Sequence, residues 1–343
     1  MLNQQKETDI PNTRRRGCLI WLGWIVIAAI GLMGLGAIYE SVAEASDAKA
    51  YPAPGQLIDV GGYRLHLNCT GTGNPTVVID SGMGDWSASW SSWVQPEVAK
   101  TTRVCTYDRA GAGWSEAGSR PPTVEQFAKE LHTLLQNAGI PGPYVLVGHS
   151  LGGFTVRVFV HEYAADVAGV VLIESMTPRQ ANPSATNIPP AATRSSGFSI
   201  LTLPARIGLV RLLAGPLGLM SDLSPEVQPA YTAFSVTPRS FQSMLDESAG
   251  MREDFIQAEA VKTFGDIPLI VLTGKLNTTP EDWQAWQTEL LQLSSNSQQL
   301  FAEHSGHNIQ IEQPEAAVAA ILQMVEQVRQ SIESSSAASQ NHP

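Results

Sequence analysis

Apolar and polar positions along the chain form a repeating pattern from about residue 55 onward. Six short segments are rich in apolar residues: YRLHLNC (63–69), TVVID (76–80), RVCTY (103–107), YVLVG (144–148), GVVLIE (169–174) and PLIVLTG (268–274). The first alternates polar with apolar residues, and the other five are almost continuously apolar, so each predicts a strand. Strands that are apolar on both faces are typical of a parallel sheet covered by helices.

Amphipathic helical patterns separate these strands. The segment 123–139 begins with the capping residue Thr123, has Gln126 three residues later, and ends at Gly139. Residues 150–166 and 313–331 have the same helical periodicity. Alternation of strands and helices predicts a doubly wound, mostly parallel α/β domain. We assign it to residues 55–174 and 267–332, in two parts.

The region between these two parts, residues 175–266, breaks the alternation. It contains no comparable strand segment, but it has Pro and Gly residues between short apolar patches such as ARIGLVRLLAGPLGLM (205–220). The apolar content indicates that the region packs against the rest of the protein. We therefore predict a helical cap over one end of the sheet, inserted between two late strands.

Residues 17–39 contain no charged side chain. As a helix, these 23 residues would be about 34 Å long at ~1.5 Å per residue, enough to cross the ~30 Å hydrocarbon core of a bilayer. The sequence therefore predicts a transmembrane anchor that follows an N-terminal tail (1–16) and precedes a linker (40–54). A cleavable signal peptide is the alternative, with AEA (43–45) as its cleavage site, but signal peptides have shorter apolar regions of about 7–15 residues.

Charges on the two sides of this span predict its orientation. Three arginines (14–16) precede it, and the acidic residues Glu40, Glu44 and Asp47 follow it. By the positive-inside rule, the N-terminus stays in the cytoplasm and the domain after Tyr39 is exported. In an oxidising compartment Cys69 and Cys105 could form a disulfide, although two separate buried thiols are an equally good alternative.

Overall charge excludes one class of partner. The net charge is −11 and the isoelectric point is about 5.1, and no basic stripe follows residue 49, so a nucleic-acid partner is not expected. The polar ends, 1–16 and 333–343, are predicted to be disordered.

The segment GHSLG (148–152) has the form G-x-S-x-G, and it lies directly after a predicted strand and before a predicted helix. On such a sharp turn, small neighbours avoid clashes and the Ser150 hydroxyl stands clear at a helix N-terminus. There the backbone N–H of Leu151 could stabilise an oxyanion. A serine that merely caps the helix is the alternative, but the complete context favours a nucleophile.

A serine nucleophile needs a base. The candidate is His307 in EHSGHNIQIEQPE (303–315), on a loop between the strand candidate QQLFAE (298–303) and the last helix. His304 competes, but His307 follows Gly306 and is closer to the helix start. His161 lacks the second histidine of a zinc-binding helix, so we expect no metal site.

Four stretches carry a family resemblance: VVIDSGMGD (77–85), CTYDRAGAGWS (105–115), VGHSLGG (147–153) and SGHNIQIEQPE (305–315). With them the chain resembles the serine-esterase-like α/β hydrolases from about residue 55 to 332. The resemblance implies Ser150 as nucleophile, His307 as base and an oxyanion hole from the N–H groups of Leu151 and Met83. Here Ser81 and Gly82 replace the usual His-Gly before Met83. Asp108 and Arg109 resemble residues that organise a loop.

The acid of the triad is the open question. The family order is Ser, acid, His, and the commonest acid position would fall on Asn277, which cannot carry a negative charge. Glu281 and Asp282 follow, but they are more typical of first-turn residues of a helix. Glu174 ends an apolar strand, where a lone carboxylate would be costly to bury without a partner. We therefore favour Glu174 over Asp282.

These features together predict a membrane-anchored serine hydrolase that cleaves an ester, as a carboxylesterase or lipase does, through an acyl-enzyme intermediate. No cofactor is expected, and the expected partners are a small hydrophobic ester and the membrane. Epoxide hydrolases and haloalkane dehalogenases need an aspartate as the nucleophile at this turn. The chain has Ser150 there, which argues against both kinds of chemistry. The alternative is a catalytically silent binding or adhesion domain, in which Asn277 would mark the loss of the acid.

Overall fold

A computed structural model describes residues 12–118, 122–180, 201–218, 222–277 and 282–340. Its strands are β1 (Gln56–Asp59), β2 (Arg64–Thr70), β3 (Thr76–Asp80), β4 (Val104–Tyr107), β5 (Tyr144–His149), β6 (Val167–Ile173), β7 (Leu269–Gly274) and β8 (Ser297–Ala302). The α-helices are α1 (Asn12–Ala50), α2 (Ser87–Val98), α3 (Val124–Asn137), α4 (Gly152–Glu162), α5 (Leu209–Ala214), α6 (Gln228–Ser235), α7 (Pro238–Ala260), α8 (Trp283–Glu289), α9 (Ile309–Glu312) and α10 (Pro314–Gln340). Residues 201–206 are also helical.

The eight strands form one sheet in the order β1-β2-β4-β3-β5-β6-β7-β8. β2 pairs antiparallel with β1 and with β4, and all other pairs are parallel. The predicted mostly parallel sheet is confirmed, and each of the six predicted apolar segments forms a strand. β1 was not predicted because this four-residue edge strand is largely exposed and lacks an apolar pattern.

Helices cover both faces of the sheet, as two apolar clusters show. Along β5, Leu146 packs into the cluster that contains α3 and α4, whereas Val145 and Val147 pack into the cluster that contains α2 and α10. Burial on both faces explains why the central strands are continuously apolar. Parallel pairing brings the carboxyl ends of β3, β5, β6 and β7 to one edge of the sheet, where ligands bind in open α/β folds.

The inserted region between β6 and β7 is helical in the described part, as the sequence predicts. Its longest helix, α7, packs back on the core, and the ring of Phe255 lies 5.3 Å from the ring of Phe154 on α4. The insertion is therefore both a cap and a part of the core's cover.

The predicted linker at 40–54 is helical for most of its length, because α1 continues without a break to Ala50. The Arg211 guanidinium binds Glu40 and Asp47, with N–O distances of 2.8 and 2.5 Å. These ion pairs hold the last turns of α1 against the cap. By length and composition α1 is able to cross a membrane.

The C-terminal end also differs from the prediction. α10 continues to Gln340, whereas the sequence predicted a disordered tail from residue 333. Alanine and serine do not interrupt a helix, and the hydroxyl of Ser334 donates to the carbonyl of Gln330 one turn earlier. The rest of the two predicted tails, 1–11 and 341–343, lies outside the described residues.

Cys69 and Cys105 are directly opposite each other on β2 and β4, and a disulfide joins them. Of the two alternatives that the sequence left open, the structure contains the disulfide.

Candidate active site

Ser150 forms the turn between β5 and α4 at the carboxyl edge of the sheet. Its φ angle is 51°, in the left-handed region that residues other than glycine seldom adopt. The Ser150 N–H donates to the carbonyl of Ile173 at 3.3 Å, and the Ser150 carbonyl accepts from the N–H of Met176 at 3.0 Å. The end of β6 thus holds the strained turn in place.

The glycines of the G-x-S-x-G segment are needed for close packing. A Cβ atom on Gly148 would lie 2.7 Å from the Cα of Gly153, and one on Gly152 would lie 2.4 Å from the carbonyl oxygen of Asp80. Both distances are shorter than real Cβ contacts, so any larger residue would push α4 away from β5 or β3. The sequence therefore explains how α4 can start immediately beneath the serine.

His307 lies on the loop between β8 and α9, beside Glu174 at the end of β6. Its Nδ1 is 3.3 Å from Oε2 of Glu174; the imidazole is 38% exposed and the carboxylate is fully buried. A carboxylate only accepts hydrogen bonds, so the proton lies on Nδ1 and Nε2 keeps a free electron pair. Ser150 and Glu174 are the two non-glycine residues with positive φ in the described part of the chain. Such strain is often concentrated at functional sites.

The carboxylate of Glu174 is fully hydrogen-bonded. Oε1 accepts from the N–H of Gly274 at 2.7 Å, and Oε2 accepts from the side-chain amide of Asn277 at 2.6 Å. Asn277 lies at the position where the acid is expected most often, and here its side chain is a donor to Glu174 at the end of the neighbouring strand. Asp282 is exposed at the start of α8, and Glu281 lies outside the described residues.

His149 connects the serine turn to the loop that carries His307. Its Nε2 lies 2.9 Å from the carbonyl oxygen of His307, and the two rings are 4.9 Å apart. Because a carbonyl only accepts, Nε2 of His149 carries the proton. Burial, and next the charge on His307, lowers the pKa of His149 to about 3. His149 is therefore neutral at physiological pH and fixes the backbone of His307. The competing His304 is exposed.

The loop after β3 lies against the serine. A Cβ on Gly82 would lie 3.2 Å from the Cβ of Ser150, so a larger residue would intrude beside the hydroxyl. Met83 follows and is half-buried, and Leu151 is fully buried at the beginning of α4. The two residues expected to supply oxyanion N–H groups thus come from the two segments that flank Ser150.

A buried arginine organises this loop. The Arg109 guanidinium donates to Oδ1 of Asp80 and to the carbonyl of Ser81, both at 2.6 Å, and also to the carbonyl of Gly82. Asp108 has a similar role, since its carboxylate accepts from the backbone N–H groups of Ser87 and Trp114 at 2.9 Å each. Both residues organise loops, as the resemblance implies.

Glu247, on cap helix α7, completes this network. Its Oε1 accepts from Nε of Arg109 at 2.9 Å, and its Oε2 accepts from the N–H of Gly84 at 2.7 Å. Burial alone would lower the pKa of Arg109, but the carboxylates of Glu247 and Asp80 outweigh burial and raise it. The cap therefore holds both sides of the loop that contains Met83.

A family model for the α/β hydrolase fold matches residues 75–314, which include the serine turn, Glu174 and His307. The chain belongs to the α/β hydrolase family.

Several known proteins are similar to the chain in sequence or in fold. An AB hydrolase superfamily protein of Gibberella zeae is 23% identical over 286 residues, which are 74% of this α/β hydrolase and 87% of the relative. A thermophilic esterase from Thermogutta terrifontis is 23% identical, with a TM-score of 0.60 and coverage of 80% of this chain and 98% of that chain. An epoxide hydrolase from Bacillus megaterium is 18% identical, with a TM-score of 0.61 and coverage of 79% and 100%. These structural likenesses show the fold.

Two further curated relatives are 35% and 30% identical over 129 and 155 residues, and this α/β hydrolase spans only 18% and 29% of their lengths. These relatives are much longer proteins in which a segment resembles part of the hydrolase.

Sequence reasoning missed one residue of the site in this α/β hydrolase and did not predict the hydrogen bond of another. Glu247 lies in a region without a motif, and its one available signal was an acidic residue among the small residues Ser248 and Gly250 on a helix. Asn277 was noticed as a missing acid, whereas the structure gives it a hydrogen bond to Glu174.

Proposed function

We propose that this α/β hydrolase is a membrane-anchored serine hydrolase that cleaves carboxylic esters through an acyl-enzyme intermediate, in the manner of a carboxylesterase or lipase. The observation that carries the proposal is the pairing of His307 Nδ1 with the buried Glu174 carboxylate at 3.3 Å. His149, the residue before the strained Ser150, contacts the backbone of His307 and so links this pair to the serine turn. The pairing orients an imidazole whose other nitrogen can act as a base.

In the proposed acylation step, Oγ of Ser150 attacks the ester carbonyl carbon while Nε2 of His307 takes the hydroxyl proton. The tetrahedral intermediate collapses, the carbon–oxygen bond to the alcohol breaks, and His307 gives the proton to the leaving alkoxide. Water, activated by the same nitrogen, then attacks the acyl-enzyme and releases the carboxylic acid and the free serine. The carboxylate of Glu174 stabilises the transient imidazolium.

The developing oxyanion needs hydrogen-bond donors that are in position before the reaction. We propose the backbone N–H groups of Leu151 and Met83 for this role. Support comes from the close contact of Gly82 with Ser150 and from the network of Arg109 and Glu247, which fixes the loop between residues 80 and 84.

We propose a hydrophobic ester as substrate and a membrane location for the enzyme, with the N-terminus in the cytoplasm and the catalytic domain exported. Support comes from the apolar helix α1, the arginines at 14–16, and the Cys69–Cys105 disulfide, a bond typical of oxidising compartments. A C-terminal alkaline phosphatase fusion, active only after export, should be active, and a cytoplasmic β-galactosidase fusion should be inactive.

Two other functions are less well supported. Epoxide hydrolase chemistry through an aspartyl nucleophile does not fit, because Ser150 occupies the turn. A silent binding domain was suggested by Asn277, but that residue donates to Glu174, which provides the carboxylate on another strand.

Turnover of p-nitrophenyl esters of graded chain length tests the proposal. The full-length protein in detergent micelles should hydrolyse at least one of these esters, and Ser150→Ala should abolish turnover while the protein stays folded by circular dichroism. Turnover that is unchanged in Ser150→Ala would reject the serine mechanism, and a folded protein inert on the whole series would favour the binding domain.

A further inference from the structure

The first part of the cap packs directly on the proposed membrane anchor. A Cβ atom on Gly36 of α1 would lie 2.5 Å from the carbonyl oxygen of Ile207, so the two backbones are in close contact. A Cβ on Gly208 would equally lie 2.5 Å from the ring of Tyr39. The ion pairs of Arg211 with α1 strengthen this attachment. The cap segment 201–218 therefore has a fixed position along α1.

This position corresponds to the end of the apolar span. Gly36 lies three residues before Tyr39, the last residue of the uncharged run 17–39, so Ile207 contacts α1 about 5 Å inside that end. The acidic partners of Arg211 lie on the other side of Tyr39. If α1 spans a bilayer, segment 201–218 must therefore lie at the level where hydrocarbon meets headgroups.

Segment 201–218 exposes an unusual amount of apolar surface at this level. Six of its leucines are more than a third exposed, and we name them the leucine surface: Leu201, Leu203, Leu209, Leu212, Leu213 and Leu217. Soluble proteins seldom expose so many large apolar side chains together, and such patches mark interaction sites. Arg211 of the same helix turns inward to α1, whereas Leu212 and Leu213 remain 56% and 46% exposed.

The charges of the segment favour a lipid surface. Residues 201–218 contain Arg206 and Arg211 and no acidic residue, in a chain whose net charge is −11. Arg206 is exposed. Arg211 is paired with Glu40 and Asp47, so Arg206 is the cation that this segment presents to solvent. Exposed leucines beside an exposed cation, with no acidic residue among them, suit the boundary between acyl chains and anionic headgroups.

We propose that the leucine surface is a second membrane contact of the protein, inserted into the leaflet in which α1 ends. The inference rests on the proposed membrane anchorage. A single helix would leave the catalytic domain free to tilt and rotate above the bilayer, whereas two contacts fix its cap side against the lipid. The occupant of this surface is the bilayer that holds α1.

Fluorescence quenching by lipid tests this inference in the full-length chain. A Cys18→Ser background retains the Cys69–Cys105 disulfide and allows one new cysteine to be labelled with the environment-sensitive dye NBD. We would place the dye at Leu213→Cys or Leu217→Cys on the leucine surface. The proteins are reconstituted one per nanodisc of phosphatidylcholine and phosphatidylglycerol (3:1). The lipid carries no spin label, a spin label near the top of its acyl chains, which is read at the leucine surface, or a spin label near the methyl ends of the chains, which is read at the anchor.

Two reference positions make the result decisive. Ile27→Cys reports the anchor itself. Ile332→Cys is an exposed position at the opposite edge of the domain, since nearby Arg329 donates to the carbonyls of Asn74 and Thr101, which precede β3 and β4. Labelling an exposed side chain leaves the core intact, and ester turnover and circular dichroism check folding.

The expected result is quenching at Leu213 and Leu217 several times greater than at Ile332. The inference is overturned when these two positions are quenched no more than Ile332 while Ile27 is quenched. If NBD at Leu213 or Leu217 instead reports an apolar environment only in nanodiscs loaded with two copies, and without quenching by lipid, a second copy is the occupant. That result also overturns the inference. Lack of quenching at Ile27 would show that the anchorage itself is wrong, independently of ester turnover.

Discussion

The side-chain amide of Asn277 donates a 2.6 Å hydrogen bond to the carboxylate of Glu174. The residue at the position where the acid is expected most often therefore binds a carboxylate at the end of β6. That carboxylate contacts Nδ1 of His307 at 3.3 Å, so the neighbouring strand provides the acidic partner of the imidazole.

Asn277→Asp should lower activity and should not create a better acid. It would place two carboxylates within hydrogen-bonding distance, and repulsion would force one of them to keep a proton at neutral pH. Keeping a carboxyl group protonated at neutral pH costs free energy in the folded protein, so we also expect a lower melting temperature. Both quantities can be measured by p-nitrophenyl ester kinetics and thermal unfolding. An equal or higher kcat in Asn277→Asp would show that a carboxylate at position 277 serves the base at least as well as Glu174, and it would contradict the assignment of Glu174.

Glu174→Gln should reduce kcat by about 10²- to 10⁴-fold, because the neutral amide cannot stabilise the imidazolium and favours the wrong tautomer of His307. Asp282→Asn is the matched control: this exposed residue should change kcat by less than about twofold, as expected for a surface position. The same ester assay checks both variants. The reverse pattern would transfer the acid role to Asp282.

Glu247→Gln should lower kcat much more than it changes KM. The substitution removes the charge that holds Arg109 and weakens the bond to the Gly84 N–H, so the loop bearing Met83 loses its fixed position. Removing one partner of a buried ion pair costs about 3–5 kcal/mol, so kinetics must be restricted to temperatures at which the variant is folded. Glu253→Gln, an exposed change on the same helix, should behave like the wild type. A change confined to stability or KM would argue against a role for Glu247 in positioning the oxyanion loop.

His149 should make stability depend on pH below neutrality. Its pKa falls from about 6.5 in the unfolded chain to about 3 in the folded protein, so between these values the unfolded state binds one more proton. The contribution of His149 is therefore complete above pH 6.5 and is lost by about 1.4 kcal/mol per pH unit as the pH falls toward 3. Urea unfolding between pH 4.5 and 6.5 measures this slope. His149→Gln should be less pH-dependent by this amount, and identical slopes would show that His149 does not resist protonation.

The sequence was sufficient to predict the central sheet. Strands β3 to β7 are buried on both faces, and continuous apolar runs such as TVVID and YVLVG leave little doubt about such positions. The serine turn was equally predictable because the G-x-S-x-G segment directly follows an apolar strand and precedes a helix, and Gly148 is required by contacts with Gly152 inside the motif and Gly153 directly after it. These features depend on neighbours close in sequence or on simple periodicity.

Other features could not be predicted because they depend on contacts between distant segments. Glu247 meets Arg109 across 138 positions of the chain, and no pattern around either residue indicates its partner. The extension of α1 beyond Tyr39 could not be predicted for the same reason, since its acidic residues are bound by Arg211 of the distant cap. On sequence alone, Glu174 was favoured as the acid because a carboxylate without a partner is costly to bury. This argument does not require the partner to be identified.

Mass spectrometry of the protein after reaction with a fluorophosphonate tests the central claim most directly, since this probe reacts with a serine only when a base activates it. We predict one adduct, on the peptide that contains Ser150, and at least about a hundredfold slower labelling in His307→Ala, in keeping with the contribution of a general base. Labelling of Ser150 at the same rate without His307, or no labelling of the folded wild-type protein, would contradict the account.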